Sequence, residues 1–141
     1  MRIGGLDVGD RRIGVAISDE MGWTAQGLEV ITRRELAADL AALARCFADY
    51  QPSRIVVGFP KNMNGTVGPQ AEKALAFARQ VEETLRVPVV MWDERLSTVG
   101  AERVLLEADL SRAKRRRVID KVAAVFILQG YLDSLAGAAR E

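Results

Sequence analysis

The sequence predicts an α/β fold built on a five-stranded mixed sheet, antiparallel over its first three strands and parallel after them, with helices on both faces. Two patterns predict it. Apolar and smaller or polar residues alternate on either side of a turn at Gly9-Asp10, as in a β-hairpin. Beyond that hairpin, short β-branched runs alternate with amphipathic stretches, the grammar of parallel strands joined by helices. A chain of 141 residues, 49% hydrophobic and 28% charged, has the size of one domain with a continuous core, expected to span 1–141.

The opening segment RIGGLDVGDRRIGVAISDE supplies both hairpin strands, with Ile13, Val15 and Ile17 on one face of the second. A third strand is expected from Leu28 to Ile31 after Gly27, while Trp23 to Gly27 reads either way. Leu36, Leu40, Leu43 and Phe47 recur at helical spacing and predict a helix over about 35–49, ending before Pro52. Ile55, Val56 and Val57 form a buried-type strand ending at Gly58, and the loop PKNMNGTVGP leads into a helix carrying Ala74, Phe77, Ala78, Val81 and Leu85. Val87 to Trp92 repeats the strand, Asp93 to Ser97 a polar turn, and Val99 to Ala108 a helix. Gly100 interrupts that helix at a cost of roughly 1 kcal/mol relative to Ala. A final helix is expected over about 118–134, and its wholly apolar stretch from Val122 to Leu128 predicts burial against the sheet.

Composition narrows the chemistry. The chain has no histidine, which removes the commonest general base, the usual zinc ligand and every Ser-His-Asp or Cys-His arrangement. A lone Cys46 rules out an internal disulfide. Cys46, the methionines and Trp92 read as core or near-core residues. No apolar run approaches the roughly 20 residues of a membrane span, and no signal peptide precedes the first strand, so no membrane partner and a cytoplasmic location are expected. The net charge of +1 conceals an asymmetry: RAKRRRVIDK, residues 112–121, holds six basic groups and one acid, leaving the rest of the chain acidic.

Three acids stand out. Asp7 lies inside an apolar strand on the side of Ile3 and Gly5, where a charge needs a partner; a metal ion would serve, as would a pairing with Arg11 or Arg12. Glu94 follows a buried strand at its carboxyl end, where α/β sheets bind ligands, with Asp93 beside it; alternation allows only one of the two to face a site. Asp120 precedes Ala124 and Ile127 at helical spacing and so belongs to an apolar face, although complementing the helix dipole would be an ordinary role. Together, Asp7, Glu94 and Asp120 are the expected catalytic and metal-binding set. Hard oxygen donors without His or Cys suit Mg²⁺ or Mn²⁺, and two such ions about 4 Å apart can activate water and stabilise the leaving oxygen of a phosphodiester.

The basic run Arg112, Lys114, Arg115, Arg116 and Arg117, with Lys121, is expected to hold a phosphate backbone beside those acids. Arg11 and Arg12 at the hairpin and Lys61 and Asn62 in the Gly/Asn-rich loop are the other expected nucleic-acid contacts.

From about Ile3 to Asp133 the motifs LDVGDRRIGVAISD, VVGFPKNMNGTVGPQAE, DERLST and VIDKVAAVFILQGYLD occur in an order and spacing that resemble the RuvX/YqgF family. The resemblance implies a ribonuclease H-like fold, a divalent-metal nuclease site mapping onto Asp7, Glu94 and Asp120, and Arg95, Ser97 and Thr98 as neighbours, of which Arg95 and Thr98 join the expected nucleic-acid contacts. It also implies processing of the small-subunit ribosomal RNA precursor at its 5′ end, with Holliday-junction resolution as the alternative suggested by similarity to RuvC. RNA is thus the favoured partner and branched DNA the runner-up; cutting a symmetric junction would require a homodimer. Two other classes compete: a non-catalytic RNA-binding protein, and an actin-like nucleotide-binding domain, which normally needs two such units to clamp its ligand.

Overall fold

The computed structural model describes residues 1–59, 67–93 and 112–140, the last stretch with side chains over 121–137. Strands β1 (Ile3–Val8), β2 (Arg12–Ser18), β3 (Ala25–Thr32), β4 (Arg54–Phe59) and β5 (Val89–Asp93) lie in the order β3-β2-β1-β4-β5. β1, β2 and β3 pair antiparallel, while β1, β4 and β5 pair parallel, as predicted. The described helices are α1 (Leu36–Phe47), α2 (Pro69–Leu85) and α3 (Arg112–Arg140).

Strand alternation sorts the core into two layers. Leu6, Ile13, Val15, Ile17, Ile55 and Val57 face α1 and α2, meeting Leu40, Leu43, Phe47, Phe77 and Val81. Ile3, Ala16 and Val56 face α3, meeting Ala123, Ala124, Ile127 and Leu128. Each fully buried aliphatic side chain of this kind contributes about 1.5–3 kcal/mol. Helices therefore cover both faces, α1 and α2 on one and α3 on the other.

Several boundaries differ from expectation. β3 starts at Ala25 because a bulge between Val15 and Ala16 keeps Gly27 and Gln26 in register with β2 beyond the apolar run. β5 starts at Val89, since Pro88 has no N–H for the ladder; the Val89 N–H goes to Glu82 Oε2 at 2.9 Å. The last helix begins at Arg112, six residues early, so the basic run is helical and not a loop. Its Arg, Lys and Ala residues are strong helix formers and need no apolar stripe to extend the helix. Met1 and Met21 are exposed, contrary to the expected core role, whereas Met91 and Trp92 pack against the two core layers. The expected helix over 99–108 with Gly100 lies outside the described residues.

The β2–β3 turn is held by Asp19, whose Oδ1 accepts the backbone N–H groups of Trp23 and Thr24 at 2.7 and 3.1 Å. These bonds, that from Thr24 foremost, hold its carboxyl below the ordinary value, and bonds from Gln70 and Lys73 do the same at Asp10. The folded state therefore binds protons on these groups less readily than the unfolded chain, so their contribution is complete above the unfolded pKa and is lost as pH falls through the lowered folded values. Thermal melts should be flat above about pH 5 and decline below about pH 4, with a shallower decline in Asp19→Ala; a decline unchanged in that variant would refute the assignment.

Cys46, half-buried on α1, donates to Glu29 Oε2 at 3.2 Å, and burial with that carboxylate pushes its thiol up to about 12. Alkylation of the folded protein at pH 8, followed by mass spectrometry, should run orders of magnitude slower than in denaturant; equal rates would contradict it.

Candidate metal and nucleic-acid site

β1 presents Ile3, Gly5 and Asp7 to the face that α3 covers. A Cβ on Gly5 would stand 2.8 Å from Leu128 Cβ and 3.3 Å from the Ala124 carbonyl oxygen, so α3 lies on β1 at a distance only glycine permits. Ile3 shares a surface groove with Leu132 and Leu135, one to two helical turns further on, so α3 runs opposite to β1. From Gly5 to Asp7 the strand advances about 7 Å. From Ala124 back to Asp120 the helix retreats about 6 Å. The backbone positions of Asp7 and Asp120 therefore stand level, at the carboxyl end of β1, with Asp120 one turn before fully buried Ala124 and two before fully buried Ile127. Asp7 is half-buried and pairs across the ladder with Gly14.

The carboxyl ends of β4 and β5 lie beside that of β1, with Leu6, Val57 and Met91 in register. Trp92 packs on the α3 side, edge-on to Tyr131 at 5.8 Å between ring centroids. Alternation consequently puts Asp93 with Val89 and Met91, on the face opposite to Asp7. Glu94, Arg95, Thr98, Lys61 and Asn62 lie outside the described residues. So do the side chains of Asp120 and of Arg112, Lys114, Arg115, Arg116 and Arg117, whose backbone forms the first turns of α3.

Lys121 is exposed but anchored, its stem crossing β3 at Gly27, where a Cβ would meet Lys121 Cγ at 2.7 Å. Arg11 is exposed on the hairpin turn, and Arg12 opens β2 opposite Thr32. Among the described residues no three His, Cys, Asp or Glu side chains could together hold a metal, and Asp7 is the one member of the expected set whose side chain is among them. A half-buried carboxylate at a strand's carboxyl end, level with the turn that carries a second acid, nevertheless offers the hard oxygen donors that Mg²⁺ or Mn²⁺ takes.

The hairpin turn after Asp7 is clamped by residues that the sequence reading passed over. The Arg33 backbone N–H donates to Arg11 O at 2.8 Å, its guanidinium donates to Gly9 O at 2.9 Å and to Asp39 Oδ2 at 3.3 Å, and its Cζ lies 4.9 Å from the Phe77 ring centroid. Asp39 is only 3% exposed and also accepts the Arg34 backbone N–H at 2.9 Å. A signal existed: Asp39 stands three residues after Leu36 and four before Leu43, an acid on the apolar stripe of α1.

A family profile described as RuvX, Holliday junction resolvase, matches residues 1–134. A Desulforamulus reducens protein named "Putative pre-16S rRNA nuclease" is 62% identical over 95% of this chain and 98% of its own. A Bacillus subtilis protein of the same name is 60% identical over 96% of this chain and 99% of its own. Among solved structures, Thermus thermophilus RuvC in complex with a Holliday junction substrate superposes with a TM-score of 0.60 at 15% identity over 97% of both chains. The fowlpox virus Holliday junction resolvase gives 0.54 at 18% identity over 96% of this chain and 99% of its own. At such identity the likeness is one of fold, and it agrees with the ribonuclease H-like architecture expected from the sequence. No helix among the described residues is long and apolar enough to cross a membrane.

Proposed function

The chain belongs to the RuvX family, and from that membership we propose that it is a divalent-metal-dependent nuclease that hydrolyses phosphodiester bonds in the 5′ region of the 16S rRNA precursor, in the cytoplasm. One observation carries the chemistry: a half-buried acid, Asp7, at the carboxyl end of the central β1, on the face where α3 brings the Asp120 turn level with it. Asp7, Glu94 and Asp120 would hold Mg²⁺ or Mn²⁺ in two sites. Such ions, when bound, lower the pKa of water and offset charge on the phosphate.

The chain's own groups do the rest. The backbone of Asp7 is held by the ladder to Gly14 and by the clamped turn at Gly9, which sets where its carboxylate starts from before substrate arrives. Arg11, Arg12 and the basic first turns of α3 attract the phosphate backbone by charge, and Lys61, Asn62, Arg95 and Thr98 would add contacts along the strand. Junction resolution is the second reading, favoured by the description of the matched family; it would need two copies presenting paired sites.

The test is cleavage of labelled single-stranded RNA, a precursor 5′ segment and a four-way DNA junction with Mg²⁺ or Mn²⁺, comparing the unsubstituted chain with Asp7→Asn. Metal-dependent cutting of the precursor, lost in the variant, is expected. Preferential cutting of the junction by a dimer would move the assignment to the second reading, and no cutting of any substrate would favour a binding role.

A further inference from the structure

Behind the hairpin turn, on the α1 and α2 side of the sheet, lies an open groove of about 540 Å³. Arg33, Arg34 and Lys73 line it together with Asp10, Asp39 and Phe77. We propose that this groove is a second phosphate subsite, which carries the RNA backbone flanking the scissile bond around the hairpin turn to the far side of the sheet. The proposal rests on the nuclease reading and deepens it.

The groove adjoins the candidate site through the turn itself, since Asp10 lies three residues after Asp7 and exposed Arg11 follows it. Its cations are arranged to receive an anion. Arg33 is immobilised by Asp39, the Gly9 carbonyl and the Phe77 ring, yet those hydrogen bonds use two of the five N–H donors that a guanidinium carries. A planar, pre-ordered fork of this kind suits phosphate oxygens. Arg34 is exposed on the rim, with its backbone but not its charge committed to Asp39.

Lys73 reaches Asp10 at 3.2 Å, with both side chains more than half exposed. An ion pair so open to water is weak and readily exchanged. Asp10 therefore acts as a stand-in anion for Lys73 when no phosphate is bound. The two members of this pair should affect RNA in opposite directions, which a purely structural pair would not.

The experiment is a salt titration of the affinity of full-length Asp7→Asn protein for a labelled single-stranded RNA, in Mg²⁺ buffer. Adding Arg34→Gln with Lys73→Gln should weaken binding about tenfold near 0.1 M salt and flatten the log–log salt slope by about 1.4, two phosphates' worth for a single strand. Adding Asp10→Asn instead should tighten binding severalfold. Unchanged affinity and slope in the first combination, weaker binding in the second, or no RNA binding by any form would overturn the groove. Cleavage surviving in Asp7→Asn would overturn the acidic site alone, so the two failures are distinguishable.

Discussion

Asp7→Asn is expected to reduce metal-dependent cleavage by roughly 100-fold or more while leaving RNA affinity within about threefold. Asparagine keeps the size of the side chain and the backbone pairing with Gly14, so β1 and its neighbours stay in register. The loss is one formal charge and one hard oxygen donor. The proposed phosphate contacts are separate cations, so binding should persist, which makes binding without turnover the diagnostic outcome. Because asparagine keeps the shape of the side chain and one of its acceptor oxygens, the melting temperature should stay within a few degrees, about 1 kcal/mol or less. Parallel loss of activity and melting temperature would mean that Asp7 is structural.

Gly5→Val is expected to destabilise the fold by roughly 3 kcal/mol, lowering the melting temperature by about 10 °C. Two effects oppose each other. Valine favours a strand and restricts the unfolded chain, worth about 1 kcal/mol in its favour. Against this, even its Cβ would sit 2.8 Å from Leu128 Cβ and 3.3 Å from a backbone carbonyl of α3, and the γ-methyl groups would need more room still. The helix must move outward as a body, uncovering Ala124 and Leu128, both fully buried. Since α3 also bears Asp120, the residual folded fraction should cleave poorly, a loss larger than the melt alone accounts for. Circular dichroism melts and cleavage rates at 25 °C check both parts; a variant with unaltered stability would show that α3 approaches β1 less closely.

The hairpin, α1, β4 and α2 were legible because their apolar periods are unbroken, and the half-buried place of Asp7 on β1 because strand alternation sets it on the side of Ile3 and Gly5. The first half of β3 was not, since Ala25, Gln26 and Gly27 owe their pairing to a bulge in the partner register. The early start of α3 was hidden because Arg112 to Arg117 form a helix by intrinsic propensity, with no apolar stripe to announce it. The groove was invisible for another reason: Asp10, Arg34 and Lys73 are far apart in sequence and meet only when α1 and α2 pack on the hairpin. Only the fold reveals that they share a wall.

Because α3 follows all five strands in chain order, the sheet is synthesised before the helix that covers its second face. Until residues beyond 112 are made, Ile3, Ala16 and Val56 have no helix to cover them, and the Asp120 turn does not exist. A nascent or prematurely terminated chain is therefore a sheet with one bare apolar face. Such a fragment would be a substrate for chaperones and proteases until α3 docks over Ile3, Ala16 and Val56.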